Sequence, residues 1–257
     1  MSETPSRPEW EYVGPAWPTS GAGITGWDHP SVVEAMNAAF PEFARVVHGT
    51  GPLGVFPLVP QMTLSVGGHN VSMTFAYVLA RAAYGRRHLS MLDWGGALGQ
   101  YAVMARRLMP DLTLRVTVKE RLEICRIGRV QLPWVTFESS DEACFARGYD
   151  LVMSSSSLQY AEDWRLILSG LATSALSWLF VTRLQMVRTV PSFVVVQRPH
   201  VYGYQSEYLS WVINRDELRQ HADSLGLTLE REFVAGYTTT YEGAPEVSET
   251  AGFLFKK

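Results

Sequence analysis

An α/β fold, built on a doubly wound and mostly parallel sheet that ends in an antiparallel strand, is what this sequence predicts. Three observations predict it. From His88 to Thr182, short apolar runs alternate with helical stretches; a glycine-rich turn follows the first run; and two further strand-like segments close the chain across a turn-rich link. Short buried strands alternating with helices imply right-handed crossovers and a sheet covered on both faces. The 257 residues are 47% hydrophobic and 18% charged, enough for one large core with or without an added lobe. The expected organisation is an N-terminal arm and helical lobe over 1–88, then an α/β domain over 89–257 carrying an insertion at about 183–212.

The elements follow in order. The stretch to Gly26, rich in Pro, Gly, Trp and Ser, reads as an irregular arm. Asp28 is an acceptable N-cap for a helix with Pro30 in its first turn and Val33, Met36, Phe40 and Phe43 on one face. Gly49 to Pro60 is loop chemistry. Asn70 reads as the N-cap of a second helix, with Phe75, Val78, Leu79 and Ala82 on one face and Gly85 closing it. Strands are then expected at Leu89–Asp93, Leu114–Val118, Trp134–Phe137, Asp150–Ser154 and Ser177–Thr182. The helices between them fall at Leu98–Met109, Leu122–Val130, Asp141–Ala146 and Asp163–Ala172. After Thr182 the alternation stalls for about thirty residues. A helix at Asp216–Leu225 and strands at Leu227–Val234 and Gly252–Phe255 complete the chain, the last two as an antiparallel pair.

Composition removes several classes of function. A net charge of -3 gives no global attraction to nucleic acid or an anionic membrane, and Arg86-Arg87 and Arg106-Arg107 read as solvated helix ends. Two cysteines, Cys125 and Cys144, form neither a disulfide framework nor a spaced zinc set, and both fall in helical segments. No metal is expected. MSETPSRPEW is not a signal peptide, and the longest apolar run, near Leu171 to Val181, is broken by Thr173, Ser174 and Ser177. A soluble cytosolic protein is expected.

The strongest chemical signal is LDWGGALGQYA, Leu92 to Ala102: a strand ending in a carboxylate, a glycine turn and a helix start. In a doubly wound sheet, ligands sit beyond the carboxyl ends of the strands. Gly95 and Gly96 let the backbone approach a ligand, and Gly99 lets the helix pack closely on the strand. A dinucleotide fingerprint would place glycine at 94; Trp94 crowds the turn that cradles a pyrophosphate. Asp93 repels a pyrophosphate and attracts an amine or a sulfonium. The ligand expected is S-adenosylmethionine, with S-adenosylhomocysteine as product. Glu120, at the tip of the second strand, is placed to accept both ribose hydroxyls of a nucleoside. Dehydrogenases use the same position, so Glu120 supports a nucleoside site in general. YDLVMSSSSLQY, Tyr149 to Tyr160, brings Ser154, Gln159 and Tyr160 toward the same crevice, and Ser139 and Ser140 lie where an adenine edge would pass.

The order Asp-x-Gly-Gly-x-x-Gly, Val-x-Glu, then Asp-Leu-Val with Ser and Gln-Tyr resembles the Rossmann-type S-adenosylmethionine-dependent methyltransferases. More narrowly it resembles a bacterial group of methyltransferases from polysaccharide and small-molecule biosynthesis clusters. The likeness runs from Leu89 to the C-terminus, and more loosely over the preceding helices. It implies that Asp93, Gly95, Gly96 and Gly99 contact the methionine end and that Glu120 anchors the ribose. Ala97 departs from the commonest loop, which has a middle glycine there. The resemblance implies methyl transfer to a small-molecule acceptor by in-line displacement.

On the acceptor side, the loop histidines His69 and His200 are the candidates for a general base, with Tyr202 beside His200. His88 and His221 read as structural. Arg198 to Trp211 concentrates Tyr202, Tyr204, Tyr208 and Trp211 where this fold places substrate-covering structure, and a homodimer surface is the competing reading. Two other functions stand beside methyl transfer: a catalytically silent nucleoside-binding module, and an NAD(P)-dependent oxidoreductase, which Trp94 and Asp93 weaken.

Overall fold

The protein is described by a computed structural model over residues 7–19, 24, 26–54 and 65–257. The last part of the expected loop before the second helix, 55–60, lies outside these residues. Ten strands and seven α-helices follow in the order β1 (Trp10–Gly14), α1 (Pro30–His48), α2 (Val66–Ala83), β2 (His88–Trp94), α3 (Gln100–Leu108), β3 (Thr113–Lys119), α4 (Leu122–Gln131) and β4 (Thr136–Glu138) among the described residues. Then come α5 (Asp141–Phe145), β5 (Tyr149–Ser155), α6 (Trp164–Ser174), β6 (Ala175–Val187), β7 (Phe193–Gln197), β8 (Tyr208–Asn214), α7 (Arg215–Ser224), β9 (Thr228–Thr239) and β10 (Ser248–Lys256).

Strands β4, β3, β2, β5 and β6 are parallel neighbours in that order, and β10 pairs antiparallel with both β6 and β9. The expected doubly wound sheet with an antiparallel end is therefore present. Side-chain alternation feeds two cores. Met91 of β2, Leu151 and Met153 of β5, Phe180 of β6 and Leu254 of β10 face a cluster built with α1 to α4. Their neighbours Leu92, Val152, Leu179, Val181, Phe253 and Phe255 face a second cluster built with Trp164, Leu168 and Leu171 of α6 and Leu218 of α7. A sheet apolar on both faces needs this double cover. No described helix is long and apolar enough to cross a membrane.

The structure departs from the sequence reading at four places. The arm is not wholly irregular: β1 pairs antiparallel with β7, Trp10 opposite Gln197. Tyr12 packs edge-on against Phe193, and Trp10 against Tyr241, so this glycine- and proline-rich stretch gains its order from tertiary partners. Helix α2 begins before Asn70, because Ser65 accepts the Gly68 N–H at 3.0 Å and caps it there. In α1 the cap is His29, not Asp28, its ring accepting from the Ser31 N–H.

The fourth departure concerns β6, which continues five residues past Thr182. Its pairing with β5 ends at Ser155 opposite Thr182, and four residues later Met186 pairs with Ile213 of β8. At this change of partner β6 is bulged: Val181 opposes Phe253 and Leu184 opposes Ala251, so Thr182 and Arg183 together face Gly252. A Cβ on Gly252 would lie 2.6 Å from the Thr182 hydroxyl. Strands β8, β7 and β1 then form an antiparallel extension beyond the carboxyl end of β5. What reads in sequence as a stalled alternation is this added sheet.

Candidate active site

Strand β2 ends in Asp93-Trp94, and the loop 95–99 carries the chain into α3. Gly95 takes φ +69° and Gly99 φ +85°, both left-handed. Gly99 sits so close to Leu132 that a Cβ there would be 2.9 Å from its Cδ1. A Cβ on Gly96 would lie 2.5 Å from an Asp93 carboxylate oxygen, and one on Gly95 would lie 2.3 Å from the Ser157 hydroxyl. Asp93 is fully buried, and neither of its oxygens has a hydrogen-bond partner among the described residues. Burial, with the Glu120 carboxylate adding repulsion, pushes its pKa up to about 7.

The loop opens onto a cavity of about 680 Å³. Its first half is lined by Trp94, Gly95, Gly96, Ala97, Lys119, Glu120 and Asp141, with Ser155, Ser156 and Ser157 at the tip of β5. Glu120 accepts the Arg121 N–H at 2.8 Å, and burial raises its pKa. The indole of Trp94 donates to Asp141 Oδ1 at 2.6 Å, while Lys119 reaches the same carboxylate at 3.1 Å and lies 5.1 Å from the Trp94 ring centre. The residue that breaks the dinucleotide pattern thus holds a carboxylate in place on the cavity wall.

The second half is aromatic. Trp27 stacks on Tyr208 at 4.3 Å and meets Tyr160 edge-on at 4.9 Å; Tyr202 and Tyr204 continue the wall. Tyr160 donates to Gln197 at 3.1 Å, and burial raises the phenol pKa values of all four tyrosines. Tyr101, from α3, joins the halves through its hydroxyl contact of 2.8 Å with Ser155.

Of the expected site residues, Gly95, Gly96, Glu120 and Tyr202 line the cavity, and Asp93 lies directly beneath Gly96. Gly99 is set back as the N-cap of α3, packed on Leu132 and Phe137. Ser154 and Gln159 are fully buried behind the wall, where the Ser154 hydroxyl and the Gln159 carbonyl oxygen lack partners among the described residues. Ser139 is exposed, its N–H turned to the Glu138 carboxylate at 2.9 Å, and Asp141 takes the place at the cavity instead. The early start of α2 carries His69 onto an exposed face of its first turn, away from the lining. His200 opens a short 3-10 turn, His200–Tyr202, and is also exposed and outside the lining. Trp211 points away as well, donating to the Glu162 carbonyl at 3.0 Å. Sequence reasoning missed Trp27, Tyr101, Asp141 and Arg183, all of which line the cavity.

No protein-family model matches the chain, and no curated protein matches its sequence. Solved structures do match its fold. A structure described as a sarcosine dimethylglycine methyltransferase from Galdieria sulphuraria superposes with a TM-score of 0.54 at 13% identity, covering 85% of this chain and 98% of that one. Magnesium protoporphyrin IX methyltransferase from Synechocystis PCC 6803, solved with bound SAH (S-adenosylhomocysteine), gives 0.50 at 14% identity over 88% and 98%. The N-terminal domain of EvdMO1, also solved with SAH, gives 0.50 at 15% identity over 84% and 96%. By the extent of these superpositions, the chain has the fold of the Rossmann-type S-adenosylmethionine-dependent methyltransferases.

Proposed function

We propose that this protein is an enzyme that transfers the methyl group of S-adenosylmethionine to a small-molecule acceptor. Asp93 carries the reading. It is a fully buried carboxylate without a partner among the described residues, set under a loop whose glycine would strike it if it bore a Cβ. Burying a carboxylate costs free energy unless a compensating charge or donor arrives. A ligand with a cationic end supplies that charge, whereas a pyrophosphate adds repulsion. The likeness in fold to two proteins solved with SAH supports the same ligand.

In this reading Asp93 and the backbone of Gly95 and Gly96 hold the amino-acid end, and Glu120 accepts the ribose hydroxyls. Asp141, fixed by Trp94 and Lys119, is the polar group available to the base. Bound there, S-adenosylmethionine supplies a methyl group already activated for displacement: the acceptor lone pair forms the new bond as the carbon–sulfur pair returns to sulfur. The chain's own work is to align the acceptor and exclude water. Trp27, Tyr160, Tyr202, Tyr204 and Tyr208 provide an apolar wall for that. The acceptor is a small biosynthetic intermediate of planar shape.

Isothermal calorimetry with S-adenosylmethionine, S-adenosylhomocysteine and NAD tests the proposal. Binding of the first two with none of the third is expected. Tight NAD binding with no S-adenosylhomocysteine signal would overturn it. The silent-module alternative separates in a product screen by mass, where it predicts binding without a methylated product.

A further inference from the structure

The bulge in β6 brings Arg183 to the lining of the cavity. Along this strand, Leu179 and Val181 face the second core, and so do Leu184 and Met186. The period of two slips by one residue between 181 and 184, and the slip is absorbed at Thr182-Arg183. Arg183 takes φ +58°, a left-handed conformation that costs an arginine what it would not cost a glycine. Ala97 and Ser156 are the other residues besides glycine with positive φ among those described, and all three line the same cavity. Strained backbone of this kind persists where the surroundings over-determine it, and bulges beside functional sites re-aim a side chain. Here the Gln159 amide donates to the Arg183 carbonyl at 3.4 Å.

The side chain so aimed sits where the two halves of the cavity meet. Arg183 lines the cavity together with Tyr101, whose hydroxyl contacts Ser155 beside the glycine loop, and with Tyr160 and Tyr202 of the aromatic wall; burial raises the pKa of all three phenols, and the Arg183 charge opposes that rise. Glu9 also lines the cavity; burial raises its pKa and His200 opposes the rise. A planar guanidinium fork bordered by aromatic rings is suited to a flat molecule bearing an anionic oxygen.

We infer that Arg183 is the acceptor-binding residue of this cavity, and that the acceptor is an aromatic compound presenting an anionic oxygen, a phenolate or a carboxylate, to the guanidinium. The inference rests on the methyl-transfer reading for what happens next, but not for the binding itself. Oriented by Arg183, the oxygen would present its lone pair toward the glycine loop, its proton already lost to solvent.

The test uses binding, with and without S-adenosylhomocysteine, of benzoate, 4-nitrophenol above its own pKa, and neutral benzyl alcohol. The wild-type protein should prefer the anions. R183Q should lose that preference by roughly 10- to 150-fold, the range of a charge-assisted hydrogen bond, while S-adenosylhomocysteine affinity stays unchanged. R183K should retain part of it. Binding of benzoate alone names a carboxylate, and of nitrophenolate alone a phenolate. No anion preference in the wild type, or an equal one in R183Q, overturns the inference. Absent S-adenosylhomocysteine binding with anion preference intact would instead sink the methyl-transfer reading and leave Arg183 its role. A second readout is thermal unfolding. R183G should melt roughly 2–8 °C above R183A, reversing the usual order of glycine and alanine. R183A melting at or above R183G would mean that the backbone stores no strain there, and would remove the reason for an arginine held at that position.

Discussion

Replacing Asp93 by asparagine should stabilise the ligand-free protein, and by an amount that grows with pH. The carboxyl is fully buried, and its pKa rises from 3.8 to about 7 on folding. Between those values the folded protein keeps a proton that the unfolded chain has released, so stability falls as pH climbs. The contribution is intact below about pH 4 and fully lost above about pH 7. A gap of about 3 pH units at about 1.36 kcal/mol each places the loss near 4 kcal/mol, an upper figure because buried sites relax and admit water. Asparagine keeps the shape without the titration. Urea unfolding of both proteins from pH 4 to pH 9 reads the effect as a difference in stability. That difference should widen across pH 4–7 and then level. Glu120→Gln, which removes the neighbouring repulsion, should lower the upper end of that window and so shrink the total loss. Saturating S-adenosylhomocysteine should lower it further, since an ammonium near Asp93 favours the ionised form. A difference that stays flat with pH would show that Asp93 is solvated, and would remove the main support for a cationic ligand.

Two further outcomes follow from the site. Glu120→Ala should weaken S-adenosylhomocysteine binding by about 1.5–3 kcal/mol, roughly 10- to 150-fold by calorimetry, with the fold retained because the strand tip lies outside the core; an unchanged dissociation constant would move the ribose anchor elsewhere. Gly99→Ala should cost about 1–3 kcal/mol in urea unfolding, since φ is +85° and Leu132 must shift from a 2.9 Å contact; a neutral variant would contradict the packing of α3 on that side chain.

The central α/β unit was legible because β2, β5 and β6 carry buried apolar residues on both faces and helical stretches alternate with them. Strand β2, the glycine loop and Glu120 read directly, since local spacing alone fixes them. The cover of the cavity was not legible, because long-range partners decide it. Trp10 to Gly14 has no strand pattern of its own and becomes a strand only opposite β7. His69 looked like a loop residue because Asn70 looked like a cap, yet Ser65 caps first. Arg183 did leave a trace in the sequence. The apolar period along Leu179, Val181, Leu184 and Met186 slips by one, which marks a bulge at the intervening pair. Ending the strand at Thr182 hid it.

The pairing of β1 with β7 also sets an order of assembly. Trp10 and Gln197 are far apart in the chain, so the outer strand can dock only once β7 is in place. Until then Phe193-Val194-Val195-Val196-Gln197, buried along its whole length in the finished protein, offers an unpaired edge. A short β-branched run of that kind is a template for association between chains. The residues that follow it, Arg198 and Pro199, bring a charge and a missing N–H to the end of that edge. In the finished protein Arg198 is nearly buried and bridges Glu11 of β1 at 2.9 Å and Glu207 at 3.2 Å. The same arginine thus guards the strand against other chains while it waits, and fastens its proper neighbour once that arrives.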